Sequence, residues 1–113
     1  MKPMARVKFL DWDCDVLLKK YANGRNAIEL VDLYDGQRVA IATVNLPDVD
    51  LADDEVIIRN YSETEGVLEV LITAGIIEQT GEMVSSGFVD MPICKIKWKN
   101  YLTNILISIK YII

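Results

Sequence analysis

Asp54-Glu55-Val56-Ile57-Ile58-Arg59-Asn60-Tyr61-Ser62-Glu63-Thr64-Glu65-Gly66 reads as a strand that runs straight into the start of a helix. Ser62 stands where a helix cap belongs, with Glu65 three residues on to close a capping box and Glu63 in the first turn, where a carboxylate complements the helix dipole. Tyr61, directly before the cap, suits a hydrophobic staple. Beyond it, Val67, Leu68, Leu71 and Ile72 recur at helical spacing, Val70 and Ala74 widen that stripe, and Gly75 is the expected left-handed stop. The spacing predicts a helix over about 63–74 that packs on a sheet.

The residues upstream supply the sheet. From Val7 to Tyr21 the pattern is strand-like, but the apolar positions change from odd (Val7, Phe9) to even (Trp12, Cys14, Val16, Leu18) near Leu10 and Asp11. A one-residue slip exchanges the two faces of a strand, so a bulge or a break is expected there. Asn23-Gly24 and Asp35-Gly36 are turn signals that bracket the apolar run 27–33, and 39–44 follows as a third strand, apolar or small on both faces as in a central strand. After a polar loop over 45–54 comes the strand around Glu55 to Arg59. Two more strands are expected around Glu82–Ser85 and Phe88–Ile96, with Ser86-Gly87 between them and Pro92 indicating an edge position. The fold class is α+β: a five- or six-stranded, mostly antiparallel meander sheet with one helix packed on a face, forming a single domain over residues 1–97.

At 113 residues the chain is long enough to bury a core without disulfide or metal staples. All 17 acidic residues precede residue 98, against ten of the twelve Lys and Arg, so residues 1–97 carry a net charge of −7 while the whole chain carries −5. Such a surface repels phosphate backbones, which argues against direct binding to nucleic acid or to an anionic membrane and favours a basic protein partner. Cys14 and Cys94 are 80 positions apart and match no zinc or redox spacing; each sits among apolar neighbours and is expected to pack as a small hydrophobe. The first twenty residues lack a secretory pattern, so a cytoplasmic setting is expected.

Residues 98–113 differ from the rest. They contain no acidic residue, glycine or proline, and the last nine combine high β-propensity with a single charge. The segment is too short and too interrupted to span a bilayer. A docked helix, an added strand and a swapped dimer arm are all compatible with it, so monomer and homodimer both stay open. Its Ile, Lys, Asn and Tyr content resembles translation of AT-rich sequence past a lost stop codon, which would make it an apolar tail of foreign origin.

With no histidine, a Ser-His-Asp or Cys-His arrangement cannot come from this chain alone. Asp48, Asp50, Asp53, Asp54 and Glu55 invite a calcium-loop reading, but Ala52 stands where a third oxygen ligand belongs and Asp53 replaces the turn glycine. No metal or cofactor is expected. Asp11, Asp13 and Asp15 alternate, and in an extended segment they share one face, spaced roughly 6–7 Å apart, close to the phosphate spacing of a nucleic-acid strand. That pattern suits either mimicry of nucleic acid toward a basic partner or a charged strand edge that resists pairing. Trp12, Trp98, Tyr34 and Tyr61 are candidates for a partner-binding patch.

Ala42-Thr43-Val44-Asn45-Leu46-Pro47, Asp54 to Ile58, Asn60 to Glu63, Glu65-Gly66, Ala74 to Ile77, Thr80-Gly81, Gly87 to Val89 and Pro92-Ile93-Cys94, with a weaker match at Phe9 to Trp12, resemble a family of small uncharacterised bacterial domains carried by plasmids, phages and integrated elements. The resemblance implies a mobile-element setting and brings no catalytic residues with it. The expectation is a non-enzymatic accessory protein that binds another protein, such as a host defence or DNA-handling factor, through an acidic surface drawn from Asp11, Asp13, Asp15, Asp48, Asp50, Asp53 and Asp54. The contrasting expectation is a small-ligand-binding domain or small enzyme with a carboxylate and lysine site.

Overall fold

The computed structural model describes residues 3–97, so the expectations for the tail, Trp98 included, lie outside the described residues. The first four strands are β1 (Ala5–Phe9), β2 (Trp12–Lys20), β3 (Asn26–Asp32) and β4 (Arg38–Ile41), and they form an antiparallel sheet in chain order. β5 (Thr43–Val44), β6 (Glu55–Ile58), β7 (Ile77–Ser86) and β8 (Val89–Ile96) form a second antiparallel sheet in the order β5-β6-β8-β7. One helix, α1 (Val67–Thr73), precedes β7. The α+β class holds, whereas the single five- or six-stranded meander gives way to two sheets of four.

Two features of the sequence account for that difference. The parity change at Leu10-Asp11 is a hairpin: Phe9 pairs with Trp12 and Ala5 with Val16, so the odd positions of β1 and the even positions of β2 share one face. A two-residue loop always produces this exchange of parity. The run 39–44 is small on both faces because it crosses between the sheets. Ala42 is fully buried; its N–H donates to the Ile28 carbonyl in the first sheet, and its own carbonyl accepts from Arg59 N–H beside the second, at 2.9 and 2.8 Å. Burial on both sides here marks a crossing point rather than a central strand.

Phe9, Val16, Ile28 and Leu30 of the first sheet meet Val56, Ile58, Ile77 and Ile96 of the second, and Val67 and Leu71 of α1, in one principal core. A smaller cluster of Ile57, Met91 and Ile93 lies under Leu46, Val49 and Leu51 of the 45–54 loop. Tyr61 joins this smaller cluster, and the Arg59 guanidinium lies 4.8 Å from its ring centroid. No staple forms, since a 3-10 turn over Ser62–Thr64 separates Tyr61 from α1.

The expected capping box is also absent. Ser62 has φ of 56° and makes no side-chain cap bond, and Asn60 caps the helix instead: its Oδ1 accepts from Gly66 and Leu68 N–H at 3.0 and 3.1 Å. The stop is as expected. Gly75 has φ of 75°, its N–H reaches the Ile72 carbonyl and Ile76 N–H reaches that of Leu71, the paired bonds of a Schellman ending with Ile76 and Leu71 both buried.

Pro92 does not lie on an edge strand, because β8 runs between β6 and β7. Its ladder with β6 ends at Ile57–Ile93, so the missing N–H falls where β8 has only β7 beside it. Opposite Pro92, β7 carries two extra residues between Gln79 and Met83, with Gly81 at φ of 91°.

Candidate functional site

Two turns lie side by side at one end of the first sheet. The register Cys14–Asp32, continued by the 2.9 Å bond from Leu33 N–H to the Asp13 carbonyl, brings Tyr34 level with Trp12. The Asp32 carboxylate shapes the second turn: Oδ1 accepts from Tyr34 and Asp35 N–H at 2.7 and 3.2 Å, while Asp35 Oδ1 accepts from Gln37 N–H at 2.9 Å. Gly36 supplies the positive φ that closes it. As a result Leu10, Trp12 and Tyr34 stand 64%, 50% and 81% exposed on one end of the molecule. Asp11 and Asp35, in the same two turns, and Asp13, on the opposite face of β2 from Trp12, are exposed too. A depression of about 180 Å³ lies at this end, lined by Trp12, Asp32, Asp35, Gln37, Arg38 and Val39.

The aspartates therefore divide. Asp11 sits in the β1–β2 turn, so the three alternating carboxylates do not form one strand-borne stripe. Asp13 and Asp15 project from β2 opposite Lys8 and Arg6, and Arg6 Nε lies 3.1 Å from Asp15 Oδ1. Asp48, Asp50, Asp53 and Asp54 belong to the 45–54 loop, which meets Lys20, Asn23, Gly24 and Arg25 at the opposite end of β2. Eight steps of strand, about 27 Å, separate Trp12 from Lys20. The loop is held by cations: Arg25 donates to the Leu46, Val49 and Pro47 carbonyls at 2.7, 2.5 and 3.4 Å, and Lys95 lies 3.7 Å from Asp54. Asn26 Nδ2 donates to the Asp53 carbonyl at 2.7 Å.

One carboxylate and lysine cluster is present that periodicity did not reveal. Glu29, 5% exposed on the outer side of β3, accepts from Lys19 Nζ at 2.6 Å and from Arg38 Nε at 2.7 Å. Burial alone would raise its carboxyl, but the two charged hydrogen bonds outweigh burial and hold it below the usual carboxylate value. A carboxylate so compensated is a poor base, and its geometry is that of a structural clasp. On the surface, Arg59 holds the Glu63 carboxyl down to about 2. Cys14 and Cys94 are free and buried, in different sheets. Burial pushes the Cys94 thiol up to about 11; it also raises Cys14, with further contributions from Asp32, Asp13 and Asp15.

Among the described residues no three His, Cys, Asp or Glu side chains converge to hold a metal ion, and no helix is long and apolar enough to cross a membrane. Comparison with family models, with curated proteins and with solved structures returns no match.

The pairing of Trp12 with Tyr34 escaped the sequence reading, yet its signal was there. Once Leu10-Asp11 is taken as a two-residue turn and Asp35-Gly36 as the tip of the next hairpin, the register places the two aromatics level. The Glu29 clasp left no such trace, because Glu29 is a single charge in an apolar run and its partners come from two other strands.

Proposed function

We propose that this protein is a non-enzymatic accessory protein that binds another protein through the end of its first sheet, with Leu10, Trp12 and Tyr34 as apolar anchors and Asp11, Asp13 and Asp35 as an acidic rim. The observation that supports this reading is the alignment of the β1–β2 and β3–β4 turns, which brings three large exposed side chains to one end of the first sheet, with the exposed Asp11 and Asp35 in the same two turns and Asp13 on the opposite face of β2 from Trp12. Aromatic anchors with a charged rim are the usual anatomy of a binding hot spot: the anchors supply affinity, and the rim supplies steering and partner choice. The partner's complementary surface is basic, with a slot for an aromatic side chain. A DNA-handling or defence factor of the host fits that description, as does the mobile-element setting implied by the family resemblance.

The test is affinity capture from the native host with the unaltered chain, a Trp12→Ala/Tyr34→Ala variant and an Asp11→Asn/Asp13→Asn variant, followed by titration with the purified partner. The expected result is one basic protein lost by both variants. Its Kd should weaken at least tenfold on removal of the aromatics, and the loss from the Asn variant should shrink at high salt. Capture of the same proteins by all three chains would overturn the proposal.

A further inference from the structure

β4 is an edge of the first sheet, with β3 as its one paired neighbour among the described residues. Beside that edge a cavity of about 390 Å³ opens between β4 and the 3-10 turn over Ser62–Thr64, walled by Tyr21, Arg38, Val39, Ile41, Arg59 and Glu63 among others. Its volume lies within the span of small-molecule sites, roughly 300–1,000 Å³.

Two guanidinium groups line this cavity from different elements. Arg38 starts β4, and Arg59 follows β6, where its N–H holds the Ala42 carbonyl at 2.8 Å. Carboxylates orient both. Arg38 donates through Nε to Glu29, so its two terminal nitrogens are unused among the described residues. Arg59 donates through a terminal nitrogen to Glu63 and lies over the Tyr61 ring, which fixes the plane of its guanidinium. An arginine held from one edge offers its remaining N–H groups as a rigid fork, the geometry that carboxylates and phosphates match.

Charge supports the same reading. Glu29 takes Lys19 as well as Arg38, so that clasp carries one positive charge in excess, while Glu63 offsets Arg59. A locally positive spot is thereby kept on a domain of net negative charge. Tyr21 adds a neutral donor. Thr43 Oγ1 accepts from Ile28 N–H at 3.3 Å and lies 2.8 Å from Tyr21 Oη. With the threonine hydroxyl donating to the phenol oxygen, the phenol O–H is left to the Thr43 carbonyl at 3.2 Å or to a ligand. Val39 and Ile41, both half-buried, make part of the wall apolar.

We infer that this cavity binds a small organic oxyanion, a carboxylate or phosphate joined to an apolar body. The anionic group takes the donors of Arg38, Arg59 and Tyr21, and the apolar body lies on Val39 and Ile41. The site is separate from the protein-binding end of the sheet: it shares Arg38 and Val39 with the depression there, but neither Trp12 nor Tyr34 lines it.

NMR titration of the full chain with phenyl phosphate, benzoate, inorganic phosphate and, as a cationic control, benzylamine tests this. The two organic anions should move the Arg38 and Arg59 Nε–H signals and the Ile41 amide in a saturable way, and benzylamine should not. Phenyl phosphate should bind about tenfold or more tighter than inorganic phosphate, since its ring leaves water for the apolar wall. Arg59→Gln should weaken phenyl phosphate by about tenfold or more, and Arg59→Lys should restore only part of that, because lysine keeps the charge and loses the fork. The Glu29 clasp is untouched in both variants, and unchanged amide signals across β1 and β2 establish that they fold. Arg6→Gln/Lys8→Gln, which removes two positive charges from β1, should bind phenyl phosphate as the unaltered chain does, and so should Trp12→Ala/Tyr34→Ala. A response to one organic anion alone supports the site and names its head group. The inference is overturned if neither organic anion moves the two arginines, if benzylamine moves them equally, or if inorganic phosphate binds as tightly as phenyl phosphate. Equal weakening in the Arg6/Lys8 variant would also overturn it, by assigning the binding to the general field of the protein.

Discussion

Leu10 has φ of 54° in the two-residue loop between β1 and β2, and 64% of its surface is exposed. A Cβ atom crowds the carbonyl oxygen in left-handed backbone and raises its energy by about 1–2 kcal/mol, and nothing buried offsets that here. Leu10→Gly should therefore raise the free energy of unfolding by about 1 kcal/mol in urea, the relief of strain being reduced by the added freedom of the unfolded chain. A drop in stability would mean that the leucine packs on something in solution. Glu29 presents the opposite case, a buried charge fully answered by its neighbours. Because its carboxyl is depressed in the folded state, the unfolded chain binds more protons near and below 4.5, and the clasp's contribution is complete above that value and lost as pH falls through the folded value. Unfolding free energy should decline on the acid side of about pH 4.5. Glu29→Gln should flatten part of that decline and lower neutral stability by about 1–2 kcal/mol, a moderate cost because Lys19 and Arg38 are themselves well exposed and regain water.

Among the elements, α1 shows most clearly what local sequence specifies. Its stop was legible because only glycine takes the required backbone without strain, and Gly75 does so. Its start was misplaced: Ser62 and Glu65 have the composition of a capping box, but the chain spends Ser62–Thr64 on a 3-10 turn and the cap passes back to Asn60. Asn60→Ala should cost about 1 kcal/mol and Ser62→Ala should be near neutral, a contrast that thermal unfolding of the two variants resolves. Strand existence was well read, and the chain-order pairing of the first sheet with it, but the partnership of the later strands was not. Pro92 illustrates the gap, since the residue does avoid a paired N–H, but it does so where β8 outruns β6 rather than at the rim of the sheet.

The two sheets do not stand apart, because Ala42 is hydrogen-bonded into both and their inner faces fill one core with α1. Unfolding should be a single transition. Cys14 in the first sheet and Cys94 in the second report it independently: both thiols should resist alkylation in the native protein and become reactive at the same denaturant midpoint, whereas separate midpoints would divide the protein into two units. The second sheet was illegible in sequence because its strands are assembled from both sides of the helix, and no local pattern records that β6 pairs with β8. For the same reason the seven aspartates looked like one surface and are two, at opposite ends of β2. Of these, the 45–54 loop owes its shape to Arg25, which grips the carbonyl oxygens of Leu46, Pro47 and Val49 and touches none of the loop's side chains among its hydrogen bonds. Anchorage through the main chain leaves positions 48 and 50 free to change identity. Asp48→Asn/Asp50→Asn should stay within about 0.5 kcal/mol of the unaltered protein in urea unfolding. The loop is in effect a mount on which new side chains can be displayed, or inherited ones exchanged, without renegotiating the fold beneath.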